Sequence, residues 1–518
     1  FSLYEFLRND KLNANDWFAN RGGVARPPFR FNQFGGTIGM PWVIPGLYNG
    51  KNRTFFFGSV ELVRFIQGIT FTGTVPRPEQ LAGDFSTTRN AAGNQIVVYD
   101  PLSTRSNPAG AGWVRDAFPG NKIPAERLDP VARNIAKLWP GPNTAGHPVT
   151  GVNNFARTDG NGVRKDTLSI RFDHLLSERN RFFSRFSYDD TPMNRAPAYG
   201  REHLTVCPTA GPQVFSRRNA VVEDTHTFTP TLLATVRYSY ARLSNFRRPY
   251  SDGFDITTLG FPAGLAAEIG DPPAFPAINV TGFGVTGSIP NIVVGGALGA
   301  TDMIAFGMDT HAWQAHLNKT LTSHNLKVGY EYRVIRANLK QHGDQGTQFS
   351  FTNAWTQGPD PTRSSATAGY ALASMLMGVG DGSVTPVPGL AQQITYYGAF
   401  LQDSIKLTPR LTLNAGLRYE YESPRTDRFN QLTNFDFAAR PPLEAPGLNL
   451  RGALTFVGVG GASRFQSDPD RNNFAPRLGF AYKLTSKTVL RGGAGIFYAA
   501  TTGLGGGPGA FGVSGYQA

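Results

Sequence analysis

Apolar and polar residues alternate along many segments of this chain. The clearest segment is 411–422, LTLNAGLRYEYE. Its two alternating sets are Leu411, Leu413, Ala415, Leu417, Tyr419 and Tyr421 against Thr412, Asn414, Gly416, Arg418, Glu420 and Glu422. Because successive side chains of a β-strand point to opposite sides of the sheet, this period of two predicts a strand with one apolar and one polar face. The same pattern recurs over 168–173, 232–240, 326–334 and 477–484.

Short turns join the predicted strands into pairs, and long connections separate the pairs. The turns are rich in the residue types that close hairpins, and they lie near Leu175, Pro230, Ser323, Pro409 and Ser486. The long connections are 66–166, 190–214, 246–308, 339–392 and 423–473. Three further strands, Ser2–Arg8, Arg30–Met40 and Thr54–Phe65, bring the total to about 13.

This sorting of connections predicts an all-β fold, a transmembrane antiparallel β-barrel. If Phe1 begins on the periplasmic side, every short turn is periplasmic and every long loop is extracellular. Tyrosines gather toward one end of several apolar faces, where an aromatic girdle at a membrane interface would place them. A soluble sandwich has no reason to sort its loops by length.

The polar strand faces carry the candidate binding residues. An arginine that faces lipid at mid-membrane costs roughly 2–4 kcal/mol, so these faces are expected to point into the lumen. The lumen candidates are Arg237, Glu331, Arg333, Arg418, Glu420 and Glu422. Two interpretations are open: a hydrated wall in which neighbouring opposite charges neutralise each other, or contacts to an internal plug or a passing solute.

The long extracellular loop 66–166 carries a predicted short helix near 124–139. Pro124 suits a helix start, and apolar residues follow at helical spacing, namely Leu128, Val131, Ala132, Ile135 and Leu138. We expect this stripe to pack within a loop cap rather than to form a ligand groove. Trp113, Trp139 and Trp355 also fall in loops, where they would pack or stack on a ligand such as a sugar ring.

Composition and motifs narrow the function classes. The 50 basic and 37 acidic residues give a net charge of +13, but the basic residues form no run, which argues against a nucleic-acid partner. The chain lacks the common phosphate-loop, zinc-protease, serine-hydrolase and paired-cysteine motifs, so we expect no enzyme, cofactor or metal. The single Cys207 forms no internal disulfide, and His311 and His316 would lie on opposite faces of a strand.

Four ordered segments resemble a known family. They are NQFGGTIGMP at 32–41, KNRTFFFGSVELVR at 51–64, TVPRPEQLAGDFS at 74–86 and FPGNKIPAERLDPVARNIAKLWPGPN at 118–143. Together with YEFLRNDKLNANDWF at 4–18, they resemble TonB-dependent outer-membrane receptors of the Oar-like group. The segment 396–422 resembles a barrel hairpin that such receptors share more widely.

The resemblance implies a barrel of 22 strands with an N-terminal plug, energised through the TonB–ExbB–ExbD system. On that expectation residues 1–518 are part of the barrel domain, about 13 strands of it, and the plug and the C-terminal strands are absent. The implied partners are outer-membrane lipid and lipopolysaccharide, and the implied location is the bacterial outer membrane.

Energy-coupled import of a bulky nutrient is the favoured function. The nutrient would be an oligosaccharide, a peptide or a metal chelate, and the loops do not select among these. A surface adhesion barrel is an alternative from a different class, and a passive porin is a third.

Overall fold

The computed structural model describes residues 1–15, 17, 26–269, 273–287, 296–300, 303–342, 347–384 and 389–499. In these residues, thirteen strands follow one another in a single antiparallel path, and two short strands join the same sheet. The thirteen are β1 Ser2–Asn9, β2 Phe29–Pro41, β3 Thr54–Thr74, β4 Phe155–Ser177, β5 Asn180–Asn194, β6 Gln213–Thr229, β7 Leu232–Arg247, β8 Met303–Thr320, β9 His324–His342, β10 Leu390–Thr408, β11 Leu411–Glu422, β12 Asn473–Lys483 and β13 Val489–Gly495. We call this path the wall; its strand count confirms the prediction.

In the described part of the connections between the wall strands, all helices and strands are short. The helices are α1 Pro78–Leu81, α2 Pro130–Ala136, α3 Ala263–Glu268 and α4 Ala371–Leu376. The 3-10 segments are Asp10–Leu12, Pro101–Ser103, Pro119–Asn121, Ala125–Arg127, Arg201–Val206, Ile256–Leu259 and Asn353–Thr356. The minor strands are Val43–Ile44, Tyr48–Asn49, Arg105–Ser106, Trp113–Val114, Ala277–Val280, Gly284–Gly287, Thr347–Phe351, Asp381–Val384, Thr426–Asp427, Thr433–Asp436 and Ala453–Phe456.

The five predicted short turns are all present in the wall. They leave residues 178–179, 230–231, 321–323, 409–410 and 484–488 between paired strands. We call this edge of the wall the turn end and the opposite edge, from which the long connections leave, the loop end.

The wall has one apolar face and one polar face, as the period of two predicts. On the apolar face Leu417 of β11 is opposite Leu401 of β10, which is opposite Val328 of β9. These side chains are 48%, 55% and 45% exposed, although they are aliphatic. An exposed aliphatic surface that spans several strands is typical of contact with another apolar phase.

An aromatic row crosses the apolar face toward the loop end, and it confirms the predicted girdle. Its members occupy one register position on five successive strands, β7 to β11, and they are Tyr238, Trp313, Tyr332, Tyr397 and Tyr421. Neighbouring ring centroids are 5.3, 5.5, 4.9 and 5.9 Å apart. Rows of this kind stand at the boundary between hydrocarbon and water in membrane barrels.

The loop predicted at 66–166 is shorter in the structure. Strand β3 continues to Thr74 and β4 begins at Phe155, with Gly73 opposite Phe155. The added part of β4, FARTDGNGVRKD, has polar residues on both faces, so backbone pairing continues where no apolar alternation marks it. The remaining connection is 75–154.

The helix predicted from Pro124 begins later, at Pro130. Residues 125–127 form a 3-10 turn, and the Asp129 carboxylate then accepts a hydrogen bond from the Ala132 amide at 2.8 Å. Proline suits the first position of a helix because its missing N–H would be unpaired there. The predicted apolar stripe does pack inward, since Leu128, Ala132 and Ile135 are buried.

The main hydrophobic core lies mostly in the loops, with a few residues from the ends of the wall strands. Four connections, 75–154, 195–212, 248–302 and 343–389, contribute to it, and we call their described residues the loop cap. Phe85, Tyr199, Phe275 and Leu372 come from these four connections in turn, and each is at most 1% exposed. The connections also hydrogen-bond to one another: the Tyr199 hydroxyl donates to the Ala297 carbonyl at 2.6 Å.

The loop cap packs on the polar face of the wall. Ile69 and Phe71 belong to the alternation set of Glu61 on β3, and both are fully buried in the cap core. On β9 the buried Leu339 belongs to the set of Glu331. The cap therefore stands over the loop end on the side to which the charged residues point.

Candidate functional site

One register position on the polar face carries a row of charged and amide side chains. Across β6 to β11 the residues that face one another in turn are Glu223, Arg237, Gln314, Glu331, Gly398 and Glu420. Arg333 and Arg418 reach into this row from adjacent positions. We call these eight residues the polar belt.

Hydrogen bonds run along the first half of the polar belt. Arg237 Nε donates to Glu223 Oε2 at 2.6 Å, across the β6–β7 pair. Gln314 Nε2 donates to Glu331 Oε1 at 2.9 Å, across the β8–β9 pair. Charge-assisted bonds of this kind between neighbouring strands hold long side chains in fixed positions.

Arg418 links three strands in the second half of the belt. Its guanidinium donates to Glu420 on its own strand and, at 2.7 Å, to the Tyr396 hydroxyl on β10. It also reaches Glu331 on β9, with Nη2 3.4 Å from Oε2. Arg333 donates to the same Glu331 carboxylate and stacks 4.8 Å from the centre of the Tyr396 ring.

Gly398 makes room for this bridge. It stands between Glu331 and Glu420 in the row, on the strand that Arg418 must cross. A Cβ atom there would lie 2.8 Å from Arg418 Nη2 and 3.0 Å from the Tyr396 hydroxyl. A side chain at this position would therefore displace the guanidinium from Glu331.

The belt neutralises its own charges. Glu331 is only 8% exposed, and a carboxylate so far out of water needs partners to remain ionised. Arg333 and Arg418 together balance Glu331 and Glu420, and Arg237 balances Glu223. The arrangement matches the first of the two interpretations, a wall in which opposite charges lie side by side.

The family comparison decides the setting of this site. The model of the outer membrane β-barrel domain matches residues 2–513. The chain belongs to that family. The apolar face of this outer membrane β-barrel accordingly faces lipid in the bacterial outer membrane, and its polar face lines the lumen.

Solved structures similar to this barrel are receptors and transporters. They include a mutant ferric enterobactin receptor of Pseudomonas aeruginosa (10% identity, 90% of this chain and 41% of that chain, TM-score 0.34). The transporter YddB of Escherichia coli (11%, 95% and 51%, TM-score 0.38) and the siderophore receptor PirA of Acinetobacter baumannii (11%, 95% and 42%, TM-score 0.38) are others. The chain spans about half the length of these proteins or less. No curated protein sequence matches it.

The structure brings the predicted lumen residues of this barrel together. Arg237, Glu331, Arg333, Arg418 and Glu420 belong to the polar belt, and Glu422 follows on the same face, opposite Tyr396. The alternation did not single out Glu223, Gln314 or Tyr396, although all three occupy the polar set of their strands. Nothing in the sequence distinguishes Gly398 from the other glycines, because its role depends on the Arg418 side chain of the neighbouring strand β11.

The three predicted loop tryptophans separate into two environments. Trp139 is buried in the loop cap, where its ring packs edge-on against Phe283 at 6.0 Å. Trp113 and Trp355 are 51% and 40% exposed. Arg115 ties their segments together, since its Nη1 donates to the Trp355 carbonyl at 2.9 Å.

No metal-binding group appears among the residues that the structure describes. His311 and His316 lie on opposite faces of β8, as expected. His311 hydrogen-bonds to the Tyr238 hydroxyl at 2.9 Å on the lipid side, and His316 points to the lumen side.

Among the helices in the described part of the chain, none has the length and hydropathy to cross a bilayer.

Asn121 is a buried polar residue whose side-chain hydrogen bonds connect segments inside the loop cap. Its side chain donates to the Phe85 and Ile96 carbonyls at 2.7 and 2.9 Å and accepts from the Val98 amide at 2.7 Å. Its backbone is left-handed, with φ of 59°, a conformation in which asparagine is enriched. One side chain thus joins three segments of the longest connection.

Proposed function

We propose that this chain forms the wall and extracellular cap of a TonB-dependent transporter of the Oar-like group. Its cargo would be a bulky nutrient, an oligosaccharide, a peptide or a metal chelate. The observation that carries the proposal is the loop cap, a body with its own hydrophobic core seated on the lumen side of the wall. A folded cap at the mouth of a barrel suits capture of a large solute, whereas a passive pore needs only an open lumen.

The resembling motifs have roles in both parts of the fold. In NQFGGTIGMP, a Cβ atom on Gly35 would lie 2.3 Å from the Val60 carbonyl oxygen of the next wall strand. In FPGNKIP, Asn121 connects three segments of the loop cap through its side-chain hydrogen bonds. These residues support the proposed architecture and leave the nutrient class to experiment.

The polar belt would form the lumen surface past which the solute moves and against which a plug rests. Arg237, Glu331, Arg333, Arg418, Glu420 and Glu422 are the proposed contact residues. In this proposal the plug responds to TonB–ExbB–ExbD, and the belt presents a neutral, hydrogen-bonding surface that neither cations nor anions bind strongly.

Uptake measurements test the proposal. Labelled oligosaccharides, peptides and metal chelates would be supplied to the wild-type strain, to a strain without this gene and to a strain without TonB. We expect one nutrient class to be lost equally in both deletion strains and restored by the gene. Uptake that persists without TonB would contradict energy coupling and favour a passive porin.

Surface adhesion is the second candidate, and the exposed tryptophans favour it. Trp113 stands on a small hairpin of the cap, where Arg105 and Asp116 form an ion pair at 2.6 Å. Exposed aromatic rings bind sugars and other surfaces. Binding of labelled cells that is lost in Trp113→Ala, without any change in uptake, would support adhesion instead of transport.

A further inference from the structure

We propose that the lipid-facing side of the wall carries a binding site for the phosphate groups of lipopolysaccharide. The site is a cavity of about 480 Å³ at the loop end, lined by residues of β8, β9 and β10 and of the connection that follows β11. Its charged lining residues are Asp309, Arg336, Arg428 and Arg464. The inference does not depend on transport, because it concerns the outside of the barrel.

The alternation of the strands places this cavity on the lipid side. Arg336 and Tyr332 belong to the same set on β9, and Gln393 and Tyr397 belong to the same set on β10. Pairing between these strands continues without a bulge from the aromatic row to the cavity. The cavity therefore opens on the face that carries the aromatic row and not into the lumen.

The height of the cavity matches the headgroup layer. Arg336 is four residues beyond Tyr332, which is about 13 Å along the strand at about 3.3 Å per residue. The aromatic row marks the edge of the hydrocarbon, and the polar headgroups occupy the next layer outward. A lipid anchored in the bilayer would carry its phosphates to this level.

The charge of the cavity is positive. The carboxylate of Asp309 is already satisfied, because both its oxygens accept from Arg242 at 3.0 Å and one accepts from the Tyr240 hydroxyl at 2.8 Å. Among the described residues that line the cavity, Asp309 is the only acidic one. Arg336 and Arg428 are both exposed there, beside Arg464.

The surrounding contacts hold the arginines in place. Arg336 Nε donates to Gln393 Oε1 at 3.0 Å, and Arg464 donates to Asn430 Oδ1 at 2.9 Å and to the Asp427 carbonyl at 3.0 Å. The backbone amide of Arg428 donates to the Ala391 carbonyl at 2.8 Å. The guanidinium groups of Arg336 and Arg464, fixed in this way, match the geometry of a phosphate, to which arginine donates two parallel hydrogen bonds.

Lipid binding to the purified full chain in detergent tests the site. The probes are lipid A with both phosphates, lipid A without phosphate, and inorganic phosphate alone. We expect Arg336→Gln combined with Arg428→Gln to weaken binding of phosphorylated lipid A by about 20- to 30-fold, since each surface arginine contributes about fivefold. The same change to lysine at both positions keeps the positive charge but loses the paired hydrogen bonds, so it should weaken binding less than the glutamine change does.

The control is Arg363→Gln, an arginine of the loop cap whose side chain is 86% exposed. It should bind phosphorylated lipid A as the wild type does. Retention of heat-modified electrophoretic mobility would show that each variant is folded. Equal binding by wild type and the double glutamine variant would overturn the proposal, as would equally tight binding of phosphate-free lipid A. Competition by inorganic phosphate alone at the same affinity would reassign the cavity to free anions.

Discussion

The wall and the loop cap bury apolar residues in opposite ways. The wall leaves aliphatic side chains such as Leu401 and Leu417 exposed, because lipid completes their environment. The cap encloses Phe85, Phe275 and Leu372 completely, as a soluble domain does. The wall therefore depends on the bilayer for its apolar contacts, whereas apolar residues of the cap pack mainly against one another.

The largest expected effect comes from a cavity in the cap. Phe85 is fully buried and packs edge-on against Tyr370 at 5.5 Å. Phe85→Ala should destabilise the cap by about 3–5 kcal/mol, because the neighbouring residues cannot fill the space. Amide hydrogen exchange of the loops in lipid nanodiscs measures this loss.

Leu401→Ala is the matched change in the wall. Lipid chains are as apolar as leucine and can fill the space, so a loss of about 1 kcal/mol or less is expected. Equal losses at the two positions would show that the wall and cap do not differ as described.

A charge on the lipid-facing side tests the wall directly. Leu401→Arg should destabilise the barrel in a bilayer by about 2–4 kcal/mol, because the guanidinium must enter hydrocarbon. Its neighbour Gln402 belongs to the polar set, so Gln402→Arg should have an effect below about 1 kcal/mol. Reversible unfolding in urea from lipid vesicles gives both values. A larger loss of stability for Gln402→Arg than for Leu401→Arg would show that the two faces are assigned the wrong way round.

Gly398→Ala should have an intermediate effect, which is confined to the polar belt. The new methyl group displaces Arg418 from Glu331, at a cost of about 1–3 kcal/mol for crowding in a packed site. The same unfolding assay applies, with Gly479→Ala as control, because a Cβ there meets no atom closer than 3.5 Å.

A double-mutant cycle sharpens this prediction. In an Arg418→Gln background, the cost of Gly398→Ala should shrink, since the crowded guanidinium is gone. An unchanged cost would show that the glycine serves the backbone of β10 and not the bridge.

The smallest expected effect is on the acid response of the cap. The Lys122 ammonium, 2.8 Å from Asp84, and hydrogen bonds from Ser86 lower the pKa of the Asp84 carboxyl from 3.8 to about 2. Because the folded pKa is depressed, this contribution to stability is present above pH 3.8 and is lost as the pH falls to about 2. Hydrogen exchange of 75–154 should rise across that window, and Asp84→Asn should flatten the rise. A rise of the same size in the variant would assign it to other groups.

Sequence patterns predict the wall far better than the cap. A period of two survives wherever one strand face meets lipid and the other meets water, so thirteen strands and five turns could be found from residues alone. On β3 the alternation predicts a strand only as far as Phe65, because beyond the membrane both faces meet polar surroundings or the cap. The cap core has no period, since Phe85, Tyr199, Phe275 and Leu372 come from four separate connections.

The candidate site is also predictable only in part: its charged residues follow from the sequence, and their partners do not. The charged members of the polar belt stand out by alternation, as Arg418 and Glu420 do in LTLNAGLRYEYE. Their partners are set by the register between strands, which no single segment reveals. The bridge from Arg418 across Gly398 to Glu331 is therefore a property of the assembled sheet.

Labelling of single cysteines along β10 tests the central claim, that one wall face meets lipid and the other lines the lumen. The only native cysteine, Cys207, is buried and would be replaced by serine. Cysteines at Ala399, Leu401 and Asp403 should react with, or be quenched by, membrane-dissolved probes, whereas those at Phe400, Gln402 and Ser404 should react with water-soluble reagents. We predict strict alternation along the strand in reconstituted vesicles. Uniform labelling, or alternation of the opposite sense, would contradict the account.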